Sequence, residues 1–229
     1  MFDWQTIDCI FLDMDGTLLD LHFDDHFWQD FLPEAYASHH QLTIEQASRE
    51  LAPKFEATKG TLDWYCVDYW SRELGLNVAE LKNQVAHLIA IHDGVLEFLQ
   101  RMRAQGKRLV LMTNAHPKVV ALKMQHTGLQ SQFDAIITSH QVGLPKENVE
   151  FWDRLQQHEP YDIQRTLFAD DTLSVLQSAK RAGFTHLLHI GKPSSKRVTQ
   201  LNPDFFSVPG FAQLLAELPD TENGISAAR

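Results

Sequence analysis

The chain has 229 residues, 44% of them apolar and 22% charged, which gives room for roughly one and a half domains and the composition of a folded, globular protein. Thirty Asp and Glu against twenty Lys and Arg leave a net charge of −10, which argues against a broad cationic face for nucleic acid or for an anionic membrane. No apolar run exceeds four residues, as at 9–12 and 109–112, far short of the ~20 residues of a membrane helix, so neither a nucleic acid nor a membrane is expected as a partner. Met1-Phe2-Asp3-Trp4 has neither the basic start nor the apolar stretch of a secretory signal. Two cysteines, Cys9 and Cys66, make no disulfide framework, and a soluble, reduced, cytoplasmic protein is expected. No feature of the sequence fixes an oligomeric state.

Residues 8–12 read as a buried strand running into Asp13-Met14-Asp15-Gly16-Thr17. From about 19 to 93 there is no strand-like run. Phe23, Phe27 and Phe31, then Leu81, Val85, Leu88 and Ile89, have helical spacing. This stretch reads as a small all-helical insertion, holding Trp28, Trp64 and Trp70 of the five Trp and Tyr36, Tyr65 and Tyr69 of the four Tyr. Helical periodicity follows from Val95 to Met102. Further apolar runs at 109–112, 135–137, 166–169 and 187–190 end respectively at Thr113-Asn114, Thr138-Ser139, Asp170-Asp171 and Gly191. A helical pattern over Leu173–Ala179 stops at Gly183, and Lys146 stands behind Pro145 at an expected helix start. None of the runs alternates, so the strands are expected to be covered on both faces. The order predicts an α/β fold, a doubly wound parallel sheet in a Rossmann-like core of 1–18 plus 94–229, with the helical segment 19–93 inserted after the first strand. The polar end, 219–229, is expected to fray.

In such a sheet the strand ends converge on one crevice. Asp13, Asp15, Asp170 and Asp171 would face one another there. Their repulsion calls for raised pKa values, a lysine or a bound cation. An oxygen-only donor set suits Mg²⁺ and, lacking His and Cys, not zinc. The set also suits phosphoryl transfer, since a carboxylate is ionised at neutral pH and attacks without an activating base. Asp13 and Asp15, two apart on extended chain, are expected on one side, one to attack phosphorus and the other to serve as acid and base. Lys146 would neutralise phosphate charge and Thr113 would offer a hydroxyl, while Gly16 permits a tight turn. Each piece also has a plainer use. Asp15-Gly16 suits a turn, and Thr113-Asn114 and Asp171-Thr172 suit helix caps.

Asp13-Met14-Asp15-Gly16-Thr17, Thr113-Asn114, Lys146 and Asp170-Asp171, in that order, resemble the four signature motifs of the haloacid dehalogenase superfamily, and the helical insertion resembles that superfamily's cap. The resemblance implies Asp13 as nucleophile through an aspartyl-phosphate, Asp15 as acid and base, and Thr113 and Lys146 as phosphate holders. It implies Mg²⁺ on Asp13, the Asp15 backbone carbonyl, Asp170 and Asp171. The second acid, Asp15, goes with phosphatases rather than haloalkanoate dehalogenases. Trp64-Tyr65-Cys66, Asp68-Tyr69-Trp70-Ser71, Thr113-Asn114-Ala115-His116-Pro117, His126-Thr127-Gly128-Leu129 and Pro145-Lys146-Glu147 resemble the superfamily's bacterial nucleotidases acting on purine nucleoside 5′-monophosphates such as GMP and IMP. A small-molecule phosphate ester is therefore the expected partner. Asn114 and, further out, His116, Trp64 and Tyr65 are candidate substrate contacts, since a purine stacks on an aromatic with ~1–3 kcal/mol. The competing readings are a phosphatase of sugar phosphates or other small metabolites, and a phosphoaccepting signalling module, which is normally a much shorter chain.

Overall fold

A computed structural model describes residues 2–218; the expectation of a frayed end at 219–229 lies outside the described residues. The first strand, β1 (Cys9–Leu12), leads through the 13–17 turn into a run of helices: α1 (His22–His26), a π-helical turn (Phe27–Phe31), α2 (Leu32–His40), α3 (Ile44–Thr58), a 3₁₀ turn (Asp63–Tyr65), α4 (Val67–Leu74), α5 (Val78–Gln84) and a second 3₁₀ turn (Ala86–Leu88). The α/β alternation then begins with α6 (Val95–Ala104), β2 (Arg108–Thr113), α7 (Pro117–Thr127), a 3₁₀ turn (Leu129–Gln132), β3 (Ala135–Thr138), α8 (Ser139–Val142) and α9 (Glu150–Leu155). It continues with β4 (Thr166–Asp170), α10 (Leu173–Ala182), β5 (His186–Ile190), β6 (Phe206–Val208) and α11 (Phe211–Glu217).

Among the described residues six strands form one sheet in the order β3-β2-β1-β4-β5-β6, every neighbouring pair parallel. This is the doubly wound order, with β1 at its centre. Alternate residues divide the core. Ile10, Leu12, Leu109, Leu111, Leu167 and Ala169 pack to one face with α6, α7 and α11, whereas Cys9, Phe11, Val110, Met112 and Phe168 pack to the other with α9 and α10. Both faces are covered, which is why no strand alternates in polarity.

The helical run packs its own aromatic interior, as the Phe spacing predicts. Phe23 and Phe27 are fully buried and Trp70 is packed edge-on by Trp28, Phe55, Trp64 and Tyr69. The π turn lies just before Pro33, which brings no N–H to an α-helical ladder; Leu32 N–H bonds back to Phe27 instead. The chain enters and leaves this run side by side, with Asp20 N–H donating to Ala90 O (2.9 Å) and His92 N–H to Leu18 O (3.0 Å).

Three expectations change. The sheet gains β6, which no sequence pattern announces because it is three residues long behind a polar, Pro-containing run. Lys146 does not start a helix. It sits in a turn closed by Asn148 N–H on Pro145 O, and α9 begins only at Glu150. The cap readings also shift: His116 caps α7 through its ring, and Thr172 precedes α10 without a side-chain cap bond.

Candidate active site

Register places the site. Leu12 lies opposite Leu111 on β2 and Ala169 on β4, so the next residue, Asp13, emerges beside Met112 and Asp170. Its N–H donates to Ala169 O at 3.0 Å, holding the chain extended to the end of the sheet. Lys146, 2% exposed, reaches in from its turn. Its Nζ donates to Asp13 Oδ1 (2.5 Å), Asp170 Oδ2 (2.7 Å) and Met112 O (3.1 Å), using all three ammonium hydrogens. The structure thus brings together four of the residues singled out in the sequence, Asp13, Lys146, Asp170 and, beside them, Asp171.

Carboxylate oxygens of Asp13, Asp170 and Asp171 lie within 4.8 Å of one another. Burial pushes all three carboxyls upward, Asp13 to about 7; repulsion from Asp170 adds to this at Asp13, from Asp170 and Asp13 at Asp171 and from Glu147 at Asp170, and Lys146 opposes it. Burial alone would lower the Lys146 pKa, but Asp13 and Asp170 hold its amine charged and raise it. Three carboxylates against one ammonium leave two negative charges, the deficit a divalent cation balances, and the donor set is all oxygen. Gly16 belongs to the same cradle. Its φ is +83°, and a Cβ there would stand 2.6 Å from Asp171 Oδ2.

The Asp15 carboxylate turns away from that trio. It accepts from Lys123 Nζ (2.5 Å), and the same amine holds Asp24, which also takes Lys82 (2.8 Å). Burial pushes Asp15 to about 6 against the pull of Lys123. Asp24 goes the other way, because two lysines outweigh its burial and hold it well below the usual carboxylate range. Sequence reasoning does not single out this Lys82–Asp24–Lys123 chain. A lysine inside the apolar stripe Val119, Val120, Lys123, Met124 of α7 is the available signal.

Thr113, 1% exposed, takes Ala115 N–H on Oγ1 (3.0 Å), leaving its hydroxyl hydrogen free to donate. Asn114 is occupied in holding the lysine turn. Its Oδ1 takes Lys146 N–H (3.0 Å) and its Nδ2 donates to Glu147 Oε2 (3.0 Å). Glu147 also accepts from Tyr65 OH (2.5 Å), a bond between the helical run and the lysine turn. A cavity of about 460 Å³ opens above these groups, in the range of small-molecule sites. Its acidic floor is Asp13, Asp15, Asp170 and Asp171, and its apolar wall includes Trp28, Phe55, Trp64, Tyr65 and His116. The expected Trp64, Tyr65 and His116 all line it, and Trp28, Phe55 and Trp70 join them.

Known proteins extend the picture. The chain is 36% identical over 192 residues, 84% of this chain and 86% of the relative, to the GMP/IMP nucleotidase YrfG of Escherichia coli. It is 27% identical over 108 residues, 45% of this chain and 48% of the relative, to the pyrimidine 5′-nucleotidase YjjG of the same organism. A solved HAD phosphatase from Thermococcus onnurineus superposes with a TM-score of 0.74 at 21% identity, covering 92% of this chain and 97% of its own. The model of the haloacid dehalogenase-like hydrolases matches residues 7–183, from just before β1 to just past α10, and the chain belongs to that family.

Proposed function

We propose that this hydrolase is a Mg²⁺-dependent phosphomonoesterase of purine nucleoside 5′-monophosphates, GMP and IMP, working through an aspartyl-phosphate on Asp13. The observation that carries the reading is the placement of Lys146 between Asp13 and Asp170 at the floor of an aromatic-walled cavity. Phosphatase chemistry follows from the family and from the nucleotidase relative, and the purine preference rests on that relative.

The residues present fit Mg²⁺, which Asp13, Asp170 and Asp171 would hold with the Asp15 carbonyl; when bound it supplies charge neutralisation for the phosphoryl oxygens. The remaining chemistry belongs to side chains. Lys146 offsets the charge that would repel a phosphate dianion from Asp13. Thr113 donates its free hydroxyl hydrogen to a phosphoryl oxygen. An Asp13 oxygen attacks phosphorus, the bond from phosphorus to the ribose 5′-oxygen breaks, and Asp15 gives that oxygen its proton. Asp15 then takes a proton from water, whose oxygen attacks the phosphorus of phospho-Asp13 and returns the carboxylate with release of phosphate. Burial that lifts Asp15 to about 6 suits it to both proton transfers. The base would lie against Trp28, Phe55 or Trp64. A reduced, cytoplasmic setting accords with two free cysteines.

Phosphate release from GMP, IMP, AMP, CMP, UMP and several sugar phosphates, read as kcat/KM with and without Mg²⁺, tests the substrate. Purine 6-oxo nucleotides are expected to lead, and a sugar phosphate ahead of them sinks the proposal. Asp13→Asn is expected to lose at least a thousandfold in kcat while melting as a folded protein. Appreciable turnover by that variant rules out the covalent route.

A further inference from the structure

A second group of metal-competent side chains lies outside the acidic floor. Cys66, just before α4, His116, capping α7, and His140, in α8, each present one donor atom, and the three atoms lie within 4.8 Å of one another. The residues come from three separate chain segments, and none is a carboxylate. The two imidazoles meet edge to face with centroids 4.8 Å apart.

His140 is the unusual member. Both its ring nitrogens are buried without a hydrogen-bond partner in the structure, an arrangement that is unfavourable unless something pairs them. Burial and the neighbouring His116 push its pKa down to about 4, against the pull of Asp63 and Asp68, so the ring is neutral and carries a free lone pair at pH 7. His116 is likewise pushed down, chiefly by burial. Neutral imidazole is the form that binds a metal. Cys66 Sγ accepts Tyr69 N–H at 3.3 Å, a bond that orients the sulfur as outer-shell donors orient metal thiolates. Asp68 stands 3.7 Å from His116 Nε2.

We propose that Cys66, His116 and His140 form a binding site for a divalent cation of the zinc class, completed by water, that joins the helical run to the loops at the sheet's carboxyl edge. Thiolate and imidazole together select zinc over magnesium. With metal–sulfur and metal–nitrogen bonds of about 2.3 and 2.0–2.1 Å, a tetrahedral site has donor separations of about 3.5 Å, so the present triangle, whose sides do not exceed 4.8 Å, tightens by no more than about 1.3 Å on binding. His116 gives up its cap bond to Lys118 N–H, already long at 3.3 Å. Cys66 directly follows Trp64 and Tyr65, and His116 lines the same cavity. Closing the triangle therefore fixes that wall and slows exchange of substrate, so bound zinc inhibits.

The test uses Zn²⁺ and Co²⁺ as probes on the full chain in excess Mg²⁺. Titration against a chromophoric chelator is expected to give one tight Zn²⁺ equivalent, weakened at least tenfold in Cys66→Ser and in His140→Asn and unchanged in Asp171→Asn. The serine hydroxyl of Cys66→Ser can still cap α4, and the smaller amide of His140→Asn places no ring in the pocket, so both variants should fold; their melting is measured alongside. Co²⁺ should show a thiolate charge-transfer band that Cys66→Ser lacks. An unchanged Zn²⁺ affinity in both variants, loss of the tight equivalent in Asp171→Asn, or no thiolate band overturns the site. The binding arms need no turnover, so they stand apart from the proposed phosphatase reading. In activity assays, Zn²⁺ should inhibit the wild type at concentrations that spare Cys66→Ser, and equal inhibition of the two removes the regulatory consequence.

Discussion

Asp24 shows how a single side chain can carry stability without touching the reacting groups. It accepts from both Lys82 and Lys123, whose side chains are 3% and 1% exposed, and each lysine would otherwise be a buried charge with less than full compensation. Removing one partner from such a group typically costs 3–5 kcal/mol. Asp24→Asn is therefore expected to lose about that much at pH 7 in urea denaturation. The pH dependence has a definite sign. The folded carboxyl sits below its ordinary range, held there by the lysines against its own burial. Its contribution is thus complete above the unfolded value of about 3.9 and lost as pH falls below it. The gap between wild type and Asp24→Asn should not shrink from pH 7 to 5, since Asp24 also raises the Asp15 carboxyl that shares Lys123, and it should shrink below pH 4. A gap that shrinks already between pH 7 and 5 contradicts the assignment. Composition could not reveal this network, because Asp24 and Lys123 lie 99 residues apart and only the fold joins them.

The elements themselves were legible to different degrees, and the differences have local causes. Five runs of apolar residues became β1 to β5 because a parallel strand buried on both faces must be continuously apolar, whereas β6 has three residues and sits at the sheet edge. The motif residues at the strand ends were readable because the sheet makes strand ends meet. Lys146 was readable as a residue but not as geometry. Its position depends on Asn114, which ties down the turn through Lys146 N–H and Glu147, and that use of an Asn side chain has no sequence signature. Glu147 then takes Tyr65 OH, joining the 3₁₀ turn at 63–65 to the lysine turn. Burial first, then Glu147, pushes the Tyr65 hydroxyl well above its usual pKa, so it remains a donor at every working pH. Tyr65→Phe leaves one Glu147 oxygen without that donor, at an expected cost of about 1.5–3 kcal/mol in urea denaturation. Because Tyr65 also lines the cavity, KM for the nucleotide should rise more than kcat falls. A variant of wild-type stability would show that this bond does not join the two parts.

At the scale of the whole molecule, the doubly wound class followed from the alternation of strands and helices, but the order β3-β2-β1-β4-β5-β6 had to come from the structure. The same holds for the paired crossings at 18–20 and 90–92. They support the proposed division into a core of 1–18 plus 94–229 and an inserted helical segment. A chain of net charge −10 that gathers Asp13, Asp170 and Asp171 around one lysine works against its own stability at the sheet edge. A cation that binds the folded trio and not the unfolded chain reverses this by mass action. At a hundred times its dissociation constant the gain is about 2.7 kcal/mol, which for a chain of this length is a rise in Tm of roughly 5–10 °C. Calorimetry with saturating Mg²⁺ and with a chelator should show that difference, and Asp171→Asn should abolish most of it. Sodium chloride at matched ionic strength separates specific binding from screening. Salt weakens interactions between exposed charges over about 10 Å but acts little on buried ones, so it should leave most of the Mg²⁺ effect unreproduced. If sodium chloride gives the same rise, the cation is acting on the acidic surface as a whole and the trio loses its claim to be the metal site.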